Sequence, residues 1–80
     1  MNIENVHLIQ AVAQAVKTLR EEHNFSQSEL AHKSGLTTDY ISKLERGKKQ
    51  NPTLATLFKL AYVFEMTATE LMSRIENPNS

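Results

Sequence analysis

The chain has 80 residues, and its nine lysines and arginines balance its nine aspartates and glutamates, so that the formal net charge is zero. This length allows one small domain, predicted over residues 1–76 and followed by a short tail at 77–80. Because the chain contains no cysteine, a disulfide framework and a thiolate metal site are excluded. The zero net charge argues mildly against nucleic-acid binding, since domains of that kind are more often basic.

No part of the chain resembles a targeting or membrane segment. The first ten residues lack the basic region and apolar run of a signal peptide. No apolar stretch approaches the length that crosses a bilayer. We therefore expect a cytoplasmic protein with no membrane partner.

The distribution of charge is more informative than its sum. One short segment is rich in cations, whereas acidic residues collect elsewhere in the chain. The cations of this segment are Lys43, Arg46, Lys48 and Lys49, interrupted by Glu45. Such a segment can attract phosphate while the rest of the surface stays neutral, although a solvated charged loop has the same composition.

Five helices and no strand are predicted, which places the chain in the all-α class. The first helix covers about residues 3–23, shows apolar residues at helical spacing, and is expected to end at Asn24. The second helix begins after Ser26, which forms a capping box with Glu29 three positions later. It ends at Gly35, where the chain can take a left-handed conformation without a Cβ clash.

The third and fourth helices follow the N-caps Thr37 and Thr53. The third covers residues 38–46 and stops at Gly47. The apolar residues of the fourth are expected to supply much of the core, and they are Leu54, Leu57, Phe58, Leu60, Ala61 and Phe64. A second capping box, between Thr67 and Glu70, opens the fifth helix at residues 68–75.

The second and third helices form a predicted helix-turn-helix over residues 26–47. This motif needs a tight turn, a small residue where the helices meet, and apolar anchors on each helix. Gly35 supplies the turn and Ala31 the small contact, and the anchors are Leu30, Leu36, Ile41 and Leu44. A merely structural helical hairpin has the same requirements.

The outward face of the third helix is the feature that a structural hairpin does not explain. Four polar residues share this face near the helix N-terminus, at positions i, i+1, i+4 and i+5. They are Thr38, Asp39, Ser42 and Lys43. Their side chains can form hydrogen bonds with base edges when this end of the helix enters the major groove of DNA. Sequence-specific binding of double-stranded DNA is therefore the leading hypothesis.

Several short segments occur in a fixed order along the chain: Leu19-Arg20, Ser26-Gln27, Leu30-Ala31, Gly35, Tyr40-Ile41-Ser42, Glu45-Arg46-Gly47, Asn51-Pro52-Thr53, Ala61 and Glu70-Leu71. Together they resemble the Cro and phage-repressor type of helix-turn-helix regulators, called XRE-like. The resemblance covers about residues 12–72. It implies a compact five-helix domain of the lambda-repressor type, and restriction-modification controller proteins are stand-alone members of similar length.

The resemblance also implies roles for the polar residues. Gln27 would hydrogen-bond a DNA phosphate at the positive end of the second helix. The other expected phosphate contacts are Thr37, Arg46, Lys48 and Lys49. Among the four base-reading residues, Lys43 would donate to guanine O6 and N7, and Asp39 would accept from cytosine N4.

Three further residues are given structural roles. Arg20 and Glu45 are expected to form an ion pair that ties the first helix to the end of the third, rather than to contact DNA. Tyr40 is expected to pack at the junction of the second and third helices. Glu65 stands where the family often has Gly or Asn, which predicts that the turn after the fourth helix is strained or differently shaped.

Apolar residues near both ends exceed what a minimal domain of this type needs. They include Ile3, Val6 and Leu8 at the start, and Tyr62, Met72 and Ile75 are the candidates for a dimer interface. Packing within the monomer and a two-fold homodimer are both compatible with them. A homodimer would place two recognition helices about one helical turn apart on a palindromic operator.

The sequence gives no indication of catalysis. The histidines His7, His23 and His32 show no ligand spacing, so we predict no metal site and no cofactor. No catalytic motif or small-molecule substrate is evident, and an enzyme is not expected. The predicted function is a homodimeric DNA-binding transcriptional regulator or repressor. The alternative is a protein-interaction module, or an antitoxin, that uses the same fold to hold a protein partner.

Overall fold

The computed structural model describes residues 5–48 and 52–77 of the chain. These residues form five α-helices and no strand, which confirms the predicted all-α fold: α1 (Asn5–Glu22), α2 (Gln27–Ser34), α3 (Thr38–Glu45), α4 (Leu54–Val63) and α5 (Ala68–Glu76). Four predictions fall outside the described residues, namely the helix start at Ile3, the matching residue Asn51, the phosphate contact Lys49 and most of the tail.

Local hydrogen bonds explain where four of the helices begin. The side-chain oxygens of Ser26, Thr37, Thr53 and Thr67 each accept from the backbone N–H three residues later, as predicted. Glu29 and Glu70 complete the two capping boxes by accepting from the backbone N–H groups of their caps. Each cap satisfies donors that have no partner inside the helix and contributes about 1 kcal/mol.

Left-handed residues follow the first four helices. Gly35 has φ +73°, and its N–H and that of Leu36 close α2 by bonding to carbonyls of the last turn. Asn24, after α1, has φ +58°, a conformation that asparagine tolerates. Glu65, after α4, also has φ +58°. The predicted strain at this turn is therefore present, because a side chain with a Cβ disfavours that region.

All five helices contribute side chains to one core. The largest fully buried side chains are Val16, Leu19, Leu30, Ile41, Leu44, Leu60 and Leu71. Leu36 and Tyr40 are partly buried against this cluster, as expected, and Phe25 is partly buried against it as well. The packing order follows from the contacts between elements: α3 lies on α1 and α2, α4 on α2 and α5, and α5 on α1. This arrangement supports α3 from behind and leaves its other side at the surface.

The expectation for the fourth helix was partly wrong. Leu60, Ala61 and Phe64 are buried, but Leu54 and Phe58 are 64% and 53% exposed. The physical reason is that α4 carries apolar residues around most of its circumference, whereas its main packing partners among the described helices are α2 and α5. A helix apolar on several faces cannot bury all of them against two neighbours.

Candidate nucleic-acid interface

The third helix is anchored on one side and exposed on the other. Ile41 and Leu44 are 0% and 1% exposed and fix α3 against the core. On the opposite side, Thr38, Asp39 and Lys43 are exposed, and Ser42 is half-buried. The structure thus brings the four predicted base-reading residues onto one face of one short helix.

The cap of this helix uses one of the predicted phosphate contacts. The Thr37 hydroxyl oxygen accepts from the backbone N–H of Tyr40 at 3.0 Å, which fixes the first turn of α3. The hydroxyl keeps its own proton, so Thr37 can donate to a phosphate while it caps the helix.

Two of the predicted base-reading side chains are bonded to each other. Lys43 Nζ lies 3.0 Å from Asp39 Oδ2, and the two side chains are 48% and 72% exposed. Sequence reasoning treated the two residues separately, although their i, i+4 spacing indicates an ion pair on a helix surface. The exposed face of α3 that carries Thr38, Asp39, Ser42 and Lys43 is called here the reading face. Through this pair it presents a donor and an acceptor side by side, with no net charge from the pair.

The carboxylate of Glu45 is the most heavily bonded group behind this face. Arg20 Nε donates to Glu45 Oε2 at 2.7 Å, and Arg20 Nη2 donates to Oε1 at 3.1 Å. The Glu45 side chain is 3% exposed, so this ion pair is almost shielded from water. Hydrogen bonding to Glu45 raises the pKa of Arg20 above its ordinary value, and Arg20 also donates to the carbonyl of Phe25 at 2.8 Å. The pair joins α1 to the end of α3 in the way the resemblance implied.

Gln27 belongs to the same network, which sequence reasoning missed. Its Nε2 donates to Glu45 Oε1 at 3.1 Å, across 18 positions in the chain. No local pattern predicts a contact of that separation. The amide has two N–H groups, so one is bonded to Glu45 and one is left for a ligand. Glu45 therefore holds the predicted phosphate donor in one orientation at the first residue of α2.

Basic residues follow the recognition helix at its C-terminal end. Arg46 ends α3, is exposed, and donates from Nε to the carbonyl of Ser42 at 3.3 Å. Lys48 is exposed in the following loop, and Lys49 lies outside the described residues. Arg46 keeps its other guanidinium N–H groups for an anion, since only one of five is used in this bond.

The candidates for a dimer interface lie in different environments. Ile75 is 6% exposed and belongs to the core of the monomer, so its assignment to surplus surface was wrong. It is buried because α5 packs on both α1 and α4. Tyr62 and Met72 are 83% and 45% exposed.

Two exposed apolar residues were missed because they were assigned to the core. Leu54, Phe58 and Tyr62 occur at i, i+4 and i+8 of α4 and form one line, called here the α4 stripe. The spacing itself was visible in the sequence, but which side of α4 faces outward was not.

The described residues form neither a metal-binding cluster nor a membrane-spanning helix. Among residues 5–48 and 52–77, no group of three or more metal-ligating side chains is close enough to hold an ion. Within the same residues, no helix combines the length and apolarity needed to cross a membrane.

Comparison with known proteins places this architecture in a family. Residues 16–71 match the helix-turn-helix family HTH_3, of the XRE-like class that the sequence motifs indicated. The matched segment runs from the middle of α1 to the start of the last helix and includes both helices of the motif. The chain belongs to this family of helix-turn-helix transcriptional regulators.

Three relatives show the range of the family around this chain. The control protein C.SmaI of Serratia marcescens is 40% identical over 63 residues, which cover 79% of this chain and 74% of C.SmaI. The antitoxin HipB of Escherichia coli K12 is 31% identical over 80 residues, covering 100% of this chain and 90% of HipB. The transcriptional regulator SinR of Bacillus subtilis is 34% identical over 61 residues, covering 76% of this chain.

SinR also provides a structural comparison. A crystal structure of SinR in complex with DNA superposes with a TM-score of 0.71 at 34% identity, over 76% of this chain and 97% of that chain. The chain matches only 55% of the length of the full SinR protein. The similarity to SinR therefore concerns its helix-turn-helix part.

Proposed function

We propose that this protein is a sequence-specific DNA-binding transcriptional regulator that inserts α3 into the major groove. The observation that carries the proposal is the two-sided character of α3, whose inner face is fully buried while its outer face presents four polar side chains. A polar helix held rigidly at the surface of a small core is the geometry by which helix-turn-helix proteins reach base edges. SinR, a relative of this chain, has been crystallised with DNA, which supports the same use of this motif.

The residues around α3 are suited to grip the DNA backbone. Gln27 stands at the first turn of α2, where unpaired backbone N–H groups favour an anion. Thr37, Arg46 and Lys48 add donors at the two ends of α3. Contacts of this kind supply affinity and fix the register, whereas the base-reading residues supply the sequence preference.

The zero net charge is compatible with this function because the charges are unevenly placed. Arg46 and Lys48 lie at the surface next to α3, whereas the side chain of Glu45, which directly precedes Arg46, is 3% exposed and is neutralised by Arg20. The local surface is therefore more basic than the sequence of the segment indicates. We therefore expect a low affinity for random DNA and a much higher affinity for the correct site.

We further propose that the protein binds a palindromic operator as a homodimer. The α4 stripe is about 12 Å long, and its three large apolar side chains are all more than half exposed. Exposed apolar lines of this kind mark interaction surfaces. Lys59 is the single charged residue of α4, so two copies of the helix can approach with little repulsion. A two-fold axis between two copies would pair the stripe with itself and repeat the reading face on the DNA.

The DNA-binding proposal is tested by selection of a site from random duplexes, followed by titration at several salt concentrations. The expected result is enrichment of a symmetric sequence that binds at least about 1000-fold more tightly than random DNA. Arg46→Met should weaken binding to all sequences and lower the salt slope by about one for each bound protomer, that is, by about two for a homodimer. Lys17→Met removes the same charge from the exposed side of α1 and serves as the control, with affinity unchanged. If no duplex is enriched over random DNA, the DNA-binding proposal is refuted.

The alternative function remains a protein-interaction module. The match of HipB, an antitoxin, over the whole of this chain is the observation that favours it. Under this alternative, Gln27→Ala and Lys43→Ala would leave function intact, whereas Tyr62→Asp would abolish it. Under the main proposal the first two variants lose DNA binding.

We also propose that the protein is located in the cytoplasm. This proposal is supported by the proposed double-stranded DNA partner and does not rest on the absence of a targeting signal.

A further inference from the structure

The Asp39–Lys43 ion pair lies at the centre of the reading face, and helix stability does not account for it. It joins opposite charges at 3.0 Å on the exposed side of α3, where an ion pair adds little to the stability of a helix. We propose that the pair acts as one unit that reads a single G·C base pair, with Lys43 over guanine and Asp39 over cytosine. This inference rests on the proposed DNA-binding function and adds to it the identity of one base pair.

The spacing of the pair fits the edge of one base pair. In a G·C pair, guanine O6 accepts the Watson–Crick hydrogen bond from cytosine N4, and N–H···O bonds of this type are about 2.9 Å long. Lys43 Nζ and Asp39 Oδ2 are 3.0 Å apart. The donor of the protein can therefore face O6 while its acceptor faces N4, with little adjustment of either side chain.

The two side chains can keep their mutual bond while they contact the bases. The ammonium of Lys43 has three N–H donors, of which one is directed at Asp39. The other two can go to guanine O6 and N7. The carboxylate of Asp39 has about four lone-pair positions, so it can accept from Lys43 and from cytosine N4 at once. Binding then leaves neither charge without a partner in the groove.

The order of groups along the base-pair edge gives the direction of specificity. From guanine to cytosine the edge presents an acceptor, an acceptor and a donor, which matches two N–H groups followed by a carboxylate. A C·G pair reverses this order, so that the N4 donor faces Lys43 and acceptors face Asp39. A T·A pair offers one acceptor and one donor in the right order but loses one hydrogen bond. We expect the preference G·C, then T·A, with C·G the least tolerated.

The unit also explains how an acidic residue can stand on a DNA-reading face. Asp39 would be repelled by phosphates unless a donor compensates it. Lys43 provides that donor before binding, and cytosine N4 provides a second donor only at the correct base pair. The reversed C·G pair leaves the carboxylate facing an acceptor. Asp39 is thus a specificity-determining residue that rejects other sequences.

The experiment uses the selected duplex and atom-level substitutions in its bases. Each G·C pair of one half-site is replaced in turn by 7-deazaguanine, which removes N7, and separately by N4-methylcytosine, which replaces the outward N4–H. Affinities are measured for the full chain and for Lys43→Met and Asp39→Ala, both at exposed positions, with Lys17→Met as the control. Circular dichroism verifies that all variants keep their helices.

The expected result is that both modifications act at the same base pair. There, each should weaken the unsubstituted protein roughly 10-fold. Lys43→Met should be insensitive to 7-deazaguanine, and Asp39→Ala, which has no acceptor, should lose most of its sensitivity to N4-methylcytosine. Sensitivities of the two variants that map to different base pairs would overturn the inference, as would a selected site with no fixed G·C pair. A selection that enriches no site at all would instead refute the proposed function.

Discussion

Glu45 connects the scaffold of this protein to its proposed DNA contacts. Its carboxylate accepts from Arg20 on α1 and from Gln27 on α2, and it is itself the last residue of α3. A buried carboxylate of this kind contributes little stability by itself because its desolvation offsets the attraction. Its value is positional, since three helices that meet at one side chain have a fixed mutual orientation.

Loss of Glu45 alone should be costly. Glu45→Ala leaves the guanidinium of Arg20 without its main partner in a nearly closed site, and we expect a loss of about 3–5 kcal/mol in the free energy of unfolding. Urea denaturation measures this difference. The double variant Arg20→Met/Glu45→Leu should recover most of the loss, because it leaves no unpaired charge. Glu22→Ala is the control, since Glu22 forms an exposed ion pair with Arg74 at 3.0 Å and should cost under about 1 kcal/mol.

Glu65 offers the opposite kind of prediction, a substitution that stabilises. Its φ of +58° destabilises the folded state by about 1–2 kcal/mol for a residue with a Cβ. Glycine relieves this strain, but part of the gain is offset because glycine has more conformational entropy in the unfolded chain. Glu65→Gly should therefore raise the free energy of unfolding by about 0.5–1 kcal/mol, with an unchanged urea m-value. Glu65→Ala removes the charge but keeps the Cβ, and an equal gain for this variant would show that strain is not the cause.

At the scale of the element, the short helix α2 depends on its ends. It has eight residues, fewer than an isolated helix needs to be stable in water. Its capping box at Ser26 and its left-handed closure at Gly35 satisfy backbone groups at both ends. Burial of Leu30 and Ala31 supplies the rest of its stability. The helix is thus defined by local chemistry and held by packing.

The capping box makes the stability of α2 dependent on pH. Hydrogen bonding from the backbone N–H of Ser26, and then from its side chain, lowers the pKa of Glu29 below the ordinary 4.5. A lowered pKa in the folded state means that the ionised carboxylate contributes stability above about 4.5, and that this contribution is lost as the pH falls through the lowered value. Urea midpoints should therefore decline less steeply in acid for Glu29→Gln than for the unsubstituted protein. Equal acid profiles for the two proteins would show that the carboxylate of Glu29 makes no such contribution.

The helix α4 shows the limit of reading periodicity in one element. Its sequence contains apolar residues on several faces, so the spacing alone is compatible with more than one buried side. The structure selects the side that carries Leu60 and Ala61 because α2 and α5 lie there. The α4 stripe is what remains outside, and its exposure is a property of the arrangement of helices.

At the scale of the whole molecule, the α4 stripe should control the oligomeric state. Phe58→Asp and Tyr62→Asp should each convert a homodimer into a monomer, because an isologous interface meets every substitution twice. Sedimentation velocity over a range of concentrations measures this change. Lys59→Gln, on the same helix, is the control and should remain dimeric.

Two outcomes of that experiment would change the assignment of the interface. If the unsubstituted protein stays monomeric at all concentrations and on its DNA site, the homodimer proposal fails and a different protein partner becomes the candidate occupant of the stripe. If the stripe variants stay dimeric while Met72→Asp does not, the interface lies on α5 instead. In both cases DNA binding by a single α3 remains testable, so the two proposals fail separately.

Much of the fold was predictable because it is encoded locally. The caps Ser26, Thr37 and Thr67, the turn at Gly35 and the periodicity of α1 involve residues within four positions of one another. Hydrogen bonds between residues so close in the sequence form in nearly the same way in any tertiary context. The helix bounds and the position of the recognition helix followed from them. The strain at Glu65 was likewise predicted by comparison with the family pattern.

The tertiary structure decided the relations between distant residues. Gln27 bonds to Glu45 across 18 positions, Ile75 is buried between helices, and Leu54 and Phe58 are exposed. None of these follows from local spacing, because each depends on which helices pack together and at which faces. The sequence by itself thus determined five helices and a polar reading face on the third. Only their packing determined how that face is held, which residues support its proposed phosphate contacts, and which apolar surface is exposed.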